Sequence, residues 1–563
     1  MGGHLGFACL SELFFWQFFS TKWSKIWRYG KLYVSLRQIY YRLFKRDMFE
    51  GQPKGLYALA LANTGERFGY YTMLAIFALF MQAKFGWDEA QAGQVYAIFL
   101  AVVYFAPLVG GWVADKIGYG KCVVVGMIVM FLGYLGLAVP TPANTAGEWA
   151  MYAGLAGVSL GTGLFKGNLQ VLIGNLYDDP RYQSRRDSAF SLFYMAINIG
   201  AMFAPSMAKW ITNQHLAGKG FVYDAANQDP AYLEALYSGY GLCFGVACIS
   251  LVLSAIIYFS CRNWFKHADV TAKQAKVANT EMVELTPKQT RDRILALLLV
   301  FAVVIFFWMA FHQNGSALTF FAKRYTDLSV TGPMRIGFNI FSLALIALAV
   351  YTGFGAVGAK TSKNRSLLWC ITLVLLGGAY ALYRGMSDPT HAQPSDFQQF
   401  NPFFVVALTP FSMLFFDTLA KKGKEVSAPA RIAWGMLVAG LGFAVISLAS
   451  VSLTSPMDLG EGTQSILSPG WLISTYFTLT LAELLLSPMG ISFVTKVAPP
   501  KYKGLMMGGW FVATAIGNYL SSIPSQLWNK IPLMQNWGIL IALCLFSAIA
   551  MFALLKKLKV MTA

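Results

Sequence analysis

Asn63-Thr64-Gly65-Glu66-Arg67-Phe68-Gly69-Tyr70-Tyr71 lies inside an apolar segment running from about Leu56 to Phe80. Read as a transmembrane helix, the segment puts two adjacent charges, Glu66 and Arg67, at mid-bilayer depth. Each charge at a helix centre costs roughly 2.5–3.5 kcal/mol on the insertion scale. That cost is kept where the charges face a protein-lined or watery cavity, and such residues mark proton relays, ion paths or substrate paths. The plainer alternative is a structural ion pair between helices. It weakens once the other intramembrane charges are read.

Working outward, the 563 residues are 56% hydrophobic and only 12% charged, with a mean hydropathy of +0.52. This composition excludes a soluble globular protein and fits an all-α polytopic membrane protein. The net charge of +18 is not a nucleic-acid face, because the Lys and Arg fall in short loops between apolar spans. The seven Cys are scattered without a CxxC pair, so neither a disulfide framework nor a metal site is indicated.

Fourteen apolar spans are expected, near residues 56–82, 90–114, 121–140, 149–176, 187–212, 238–261, 293–322, 337–358, 366–384, 401–420, 431–453, 470–494, 505–528 and 535–556. One set of alternate loops and ends carries twenty-six Lys and Arg, and the opposite set eight. The asymmetry predicts that both termini face the cytoplasm, as in a cell-membrane protein with multiple passes. Residues 1–47 form a basic extension in which an apolar run precedes the charges, the reverse of a secretory signal. Two readings stand: an amphipathic helix on anionic lipid, or a true start at Met48, which opens directly onto the first span.

The spans divide as six, a pair, then six. The expected organisation is a first six-helix bundle over 48–262, a cytoplasmic linker over 263–292, and a second bundle over 293–563 that contains an extra pair at about 337–384. Asp115-Lys116-Ile117-Gly118 after span two is echoed by Asp417 and Lys421-Lys422-Gly423-Lys424 at the equivalent place in the second six. This resembles the loop signature of the major facilitator superfamily, whose repeats rock about a midplane site.

Polar residues at bilayer depth supply the candidate site. They are Glu66, Arg67 and Tyr71 in span one, Tyr104 in two, Lys166 in four, Tyr194 and Asn198 in five, and His312 in seven. Asn401 opens span ten, Glu483 and Ser487 lie in twelve, and Trp510 in thirteen. Asn198 follows Tyr194 by one helical turn, as Ser487 follows Glu483. Lys166 and Glu483 lie in opposite sixes, and their signs suit a zwitterion: Glu483 for an ammonium, Lys166 or Arg67 for a carboxylate. Each Asn or Tyr taken alone reads as interhelical glue. Gly157-Val158-Ser159-Leu160-Gly161 matches the GxSxG string but lies within an apolar helix, so it reads as a helix contact and not as a nucleophile elbow. No His begins an HExxH, and no GxxxxGK[ST] loop occurs. An integral-membrane enzyme and direct ATP coupling are both unsupported. A channel is disfavoured, since charges of both signs spread over several helices suit an occluded solute site better than a ring of one sign.

These residues resemble the proton-dependent oligopeptide transporter family. Its first-helix motif, ExxERFxYY, appears as Asn63 through Tyr71. Its FYxxINxG signature appears as Phe193-Tyr194-Met195-Ala196-Ile197-Asn198-Ile199-Gly200. Its later block resembles Glu483 to Pro488, Thr495 to Pro499 and Met506 to Phe511. The resemblance implies a monomeric major facilitator symporter of di- and tripeptides with protons and no cofactor. Glu66, Arg67 and Lys166 would couple and gate. Tyr71, Tyr104, Lys166, Asn198, Asn401, Glu483, Ser487 and Trp510 would hold the peptide. A carrier of a modified or non-peptide solute is the alternative. Three positions depart from the family. Asn63 replaces the first motif Glu, Leu74 stands where an Arg is usual, and His312 replaces the seventh-helix acid. We expect His312 to join Glu66 as a proton-responsive group, because a histidine titrates near pH 6.5. The extra pair also departs, since it follows span seven instead of preceding it.

Overall fold

The computed structural model describes residues 51–87, 89–224, 227–270, 285–313, 317–359, 361–392, 394–455, 466–521, 523–524, 527–528 and 530–562. The 1–47 extension, Met48 and residues 271–284 of the 263–292 linker lie outside the described residues. Among the described residues, fourteen helices of eighteen residues or more follow one another. In chain order they are α1 (Lys54–Phe85), α2 (Glu89–Ile117), α3 (Tyr119–Ala138), α4 (Thr145–Leu176), α5 (Arg186–Gly218), α6 (Pro230–Ser260) and α7 (Pro287–Phe311). A short α8 (Ala317–Tyr325) precedes α9 (Ile340–Gly358), α10 (Ser362–Arg384), α11 (Phe400–Lys421), α12 (Ala428–Ala449), α13 (Pro469–Val497), α14 (Lys503–Leu520) and α15 (Leu533–Met561).

The protein is an all-α polytopic membrane protein. Eleven of the long helices are apolar enough on their own to cross a membrane. The exceptions are α1, which carries Glu66 and Arg67, α4, which carries Lys166, and the short α14. Helices that hold polar groups inward need less hydrocarbon-like character, because their neighbours supply it.

Helix α1 packs between α5 and α6, while α4 is covered by α2 and α3. In the second half α12 packs on α13 and α15, α7 on α14 and α15, and α11 on α13. The two groups meet along α2 against α14 and along α5 against α11 and α13. Close approach of backbones sets these contacts. A Cβ on Gly65 or Gly69 would lie 2.4 or 2.5 Å from the hydroxyls of Ser254 or Ser250 on α6. The two glycines are one turn apart, the small-residue spacing of membrane helix interfaces. The GxSxG string behaves likewise: Gly157 and Gly161 lie against Gly133 and Met130 of α3, so it is a helix contact, as expected.

The expected spans coincide with these helices, with three corrections. Span seven, read as one segment over 293–322, ends at Phe311 and a separate short helix begins at Ala317. His312 is therefore a C-cap residue, φ −78° and ψ 54°, and not part of the helix interior. The neighbouring Gln313 donates its side-chain amide to the carbonyls of Met309 (3.0 Å) and Ser521 (3.1 Å). Span thirteen ends at Leu520, eight residues early. Span six starts at Pro230, where a proline suits the first helical position. Apolarity marks the part of a helix in hydrocarbon, whereas backbone hydrogen bonds carry the helix on past it.

The extra pair α9–α10 forms a helical hairpin closed at its base. A two-residue antiparallel ladder, β1 (Ser329–Val330) with β2 (Thr390–His391), joins the chain just before it to the chain just after it. Arg335 reinforces this closure, donating to the carbonyls of Met386 (3.0 Å) and Ser387 (2.8 Å) and pairing with Asp388 at 3.1 Å. The pair therefore leaves and returns at one point, which explains how it can follow α7 without disturbing the packing around it. Helix α9 lies along the seam between the groups. Ile340, Leu343 and Ala347 pack with Met202 of α5 and with Phe403, Val406 and Ala407 of α11. Helix α13 is the most enclosed of the eleven apolar spans, 78% of its apolar window being buried, and α10 the least, at 11%.

Candidate functional site

Glu483 stands near the middle of α13, five residues before Pro488. Both of its oxygens are held. Oε1 accepts from the Tyr194 hydroxyl on α5, and Oε2 accepts from the Asn401 amide on α11 at 2.6 Å. The same amide donates to the Thr480 hydroxyl at 3.1 Å, one turn below Glu483 on α13. One donor thus comes from each half of the molecule. A buried carboxylate is tolerated only when so satisfied, and the arrangement fixes it at the junction of α5, α11 and α13.

Around it, Asn198 donates to its own helix, to the Tyr194 carbonyl at 2.9 Å. The Ser487 hydroxyl is buried with no hydrogen-bond partner among the described residues. Trp510 is 3% exposed and packs against Phe301 and over Gly490, where a Cβ would meet the indole ring at 2.1 Å.

The second cluster is arranged differently. Glu66 is fully buried and Arg67 is 2% exposed, and they pair with each other through two hydrogen bonds of 2.5 Å. Neighbouring residues on a helix normally point apart, so this pairing requires the long arginine to fold back. Its guanidinium also lies 4.5 Å from the centre of the Tyr70 ring. Asn63, one turn earlier, leaves its amide nitrogen buried without a partner among the described residues. Lys166 does not join this pair. Its ammonium lies over Tyr104 (3.9 Å) and Phe511 (4.7 Å), with no ion-pair partner among the described residues. Aromatic faces hold a desolvated ammonium without neutralising it. His312 stacks on Trp308, ring centres 4.7 Å apart, and its buried Nδ1 has no hydrogen-bond partner among the described residues. Tyr71 makes an edge contact with Tyr70, and Leu74 packs against the apolar core.

The structure therefore brings Glu483 and Asn401 together, and Lys166 with Tyr104. Tyr194, read in the sequence at bilayer depth, is a direct partner of Glu483, and the structure adds Thr480 and gives Phe511 a contact with Lys166. Phe511 closes the Met506–Phe511 block, whereas no sequence pattern marked Thr480.

At the end bearing the basic loops, the two groups are locked. Asp115 accepts from the backbone N–H groups of Gly504 (2.8 Å) and Leu505 (2.9 Å) at the start of α14, where a helix N-terminus favours an anion. Lys503 pairs with Asp178 at 2.6 Å. Asp187 of α5 accepts from Ser492 of α13 (2.6 Å) and pairs with Arg431 of α12 at 3.6 Å. The acid–glycine–basic loop after α2 thus supplies a contact between the halves, while its counterpart Asp417 lies in the small polar cavity beside Arg431.

Comparison with known proteins agrees with this geometry. The model of the POT family matches residues 120–283 and 378–540. The interval between the two matches holds α7, His312 and most of the extra pair. The chain is similar to dipeptide and tripeptide permease B of Xenorhabdus bovienii, with 27% identity over 84% of this chain and 86% of that one. It is also similar to dipeptide and tripeptide permease A of Escherichia coli, with 24% identity over 86% and 88%. In fold it is similar to a crystal structure of a peptide transporter POT in complex with sulfate, with a TM-score of 0.58 and 23% identity over 92% of this chain and 97% of that one. These matches, with the motif helices and the glutamate at their junction, lead to one conclusion: the chain belongs to the POT family of membrane transporters.

Proposed function

We propose that this protein is a proton-coupled symporter of di- and tripeptides that works by alternating access. The observation that carries the reading is Glu483, a buried carboxylate held by Tyr194 from one half and Asn401 from the other. A peptide's terminal ammonium is the natural ligand for such a group, since it replaces a neutral donor with a charged one. Lys166, held by aromatic rings and not by an acid, is free to meet the peptide carboxylate. Tyr71, Tyr104, Asn198, Ser487 and Trp510 complete the pocket. Glu66, Arg67, Lys166 and His312 form the proton-coupling and gating set. The peptide relatives support the substrate class.

The two halves, 48–262 and 293–563, act as the rocking bundles, joined by the 263–292 linker. Both termini lie in the cytoplasm of a cell-membrane protein that works as a monomer, and the locked end is then the cytoplasmic one. A carrier of a modified peptide is the second reading, favoured by Leu74 where an arginine would strengthen carboxylate binding. Counterflow of labelled dialanine by the purified protein in liposomes tests the site without needing a gradient. Exchange competed by unlabelled dipeptides and lost in Glu483→Gln is the expected result. Exchange that Glu483→Gln leaves intact contradicts the assignment.

A further inference from the structure

The extra pair carries a groove that neither the transport site nor the family match explains. It has a volume of about 380 Å³ and runs between α9, α10 and α11, with Gly353, Phe354, Val357, Trp369, Thr372 and Phe411 on its walls. Along α9 it extends from Ile346 to Val357. At 1.5 Å per residue that is about 16 Å, roughly half of a 30 Å hydrocarbon core and so the depth of one leaflet. Its surroundings are already those of a lipid-facing surface: Leu367, Leu373, Val374 and Tyr380 of α10 are exposed. Among the described lining residues Thr372 alone carries a hydroxyl, and it is bonded to Thr352 of α9 at 2.8 Å.

The groove ends at the α9–α10 connection, which is basic. Lys363 is exposed in the first turn of α10. Arg365 precedes Trp369 by four residues, on the same helix face, and reaches over the end of α9 to the Ala359 carbonyl at 3.3 Å. We propose that this groove is a binding site for an anionic phospholipid of the leaflet on the basic-loop side. One acyl chain lies between α9 and α11, and the phosphate lies against Lys363 and Arg365. The apolar length and the cationic end are complementary to that molecule. Because α9 also packs on α5 and α11 across the seam, the bound lipid stiffens a helix that touches both moving halves.

The test is photocrosslinking of the full chain in liposomes with a phosphatidylglycerol bearing a diazirine in its acyl chain. Crosslinks concentrated on Ile346 to Val357 and on Trp369, competed by unlabelled phosphatidylglycerol more than by phosphatidylcholine, are expected. Gly353→Phe, which fills the groove, removes them. Lys363→Gln with Arg365→Gln keeps the crosslinks but lowers the headgroup preference about fivefold for each charge removed. Both variants retain dialanine counterflow, which shows that they are folded. Crosslinks spread evenly over all lipid-facing helices, an unaltered preference in the double variant, or crosslinks to a second copy of the chain covering the groove would each overturn the proposal.

Discussion

Two buried acids show how differently one chain can satisfy a charge inside a membrane. Glu483 takes its two donors from different helices in different halves, so its environment exists only while α5 and α11 flank α13. Glu66 takes both of its hydrogen bonds from the adjacent residue. Its pairing is portable: α1 carries it intact whatever the other half does. The first arrangement suits a group that responds to substrate and to domain movement. The second suits a charge store that must survive the whole cycle. Two departures from the family pattern, Asn63 and His312, fall on the second side, while Glu483 keeps its motif neighbours.

Breaking the portable pair has the largest expected effect. Glu66→Gln leaves the Arg67 guanidinium buried beside an uncharged amide, and removing one partner of a buried pair costs about 3–5 kcal/mol. Thermal unfolding in detergent will show a large loss of stability, and Glu66→Gln combined with Arg67→Gln will recover most of it. Equal stability of the single variant and the parent would mean that water already reaches the pair.

Next is the shared carboxylate. Glu483→Gln keeps the shape but removes the charge, and charge-assisted hydrogen bonds contribute about 1.5–3 kcal/mol. Dialanine exchange is expected to fall about tenfold to a hundredfold, with a smaller loss of stability than in Glu66→Gln. Tyr194→Phe removes one donor only and should cost about fivefold to tenfold in apparent affinity. If it also slows exchange at saturating peptide, Tyr194 takes part in movement as well as in binding. The smallest effect sharpens the comparison on its coupling side. A histidine is the side chain suited to answering a modest change in proton concentration, so a proton-responsive His312 makes uptake rise as external pH is lowered. His312→Gln should flatten the rise a few-fold without altering exchange at equal pH. An unchanged profile removes His312 from the coupling set.

Most of the architecture was legible because membrane helices announce themselves by length, apolarity and flanking Lys and Arg. What the pattern could not mark were the places where backbone geometry departs from apolarity. The break after Phe311 is one, since Phe307 to Phe311 and Ala317 to Phe321 are both apolar and only the intervening polar run hints at a stop. The end of α14 at Leu520 is another. In the site, Glu483, Asn401 and Lys166 stood out because a polar group in hydrocarbon has to be accounted for. Thr480, the further partner of Asn401, is an ordinary membrane residue, and only packing distinguishes it. The family resemblance grouped Lys166 with Glu66 and Arg67, and its charge suggested a substrate carboxylate as partner. Cation–π contacts hold it instead, a force that leaves no signature in residue spacing. The closure of the extra pair by a two-residue ladder was equally invisible, because it joins segments more than sixty residues apart.

The most direct test of the central claim is labelled dialanine uptake by the purified protein in liposomes, with and without an inward proton gradient. Accumulation above the external concentration that collapses when the gradient is dissipated is the predicted result. Equal uptake in both conditions, or no uptake by protein shown to be folded, would contradict proton-coupled peptide symport.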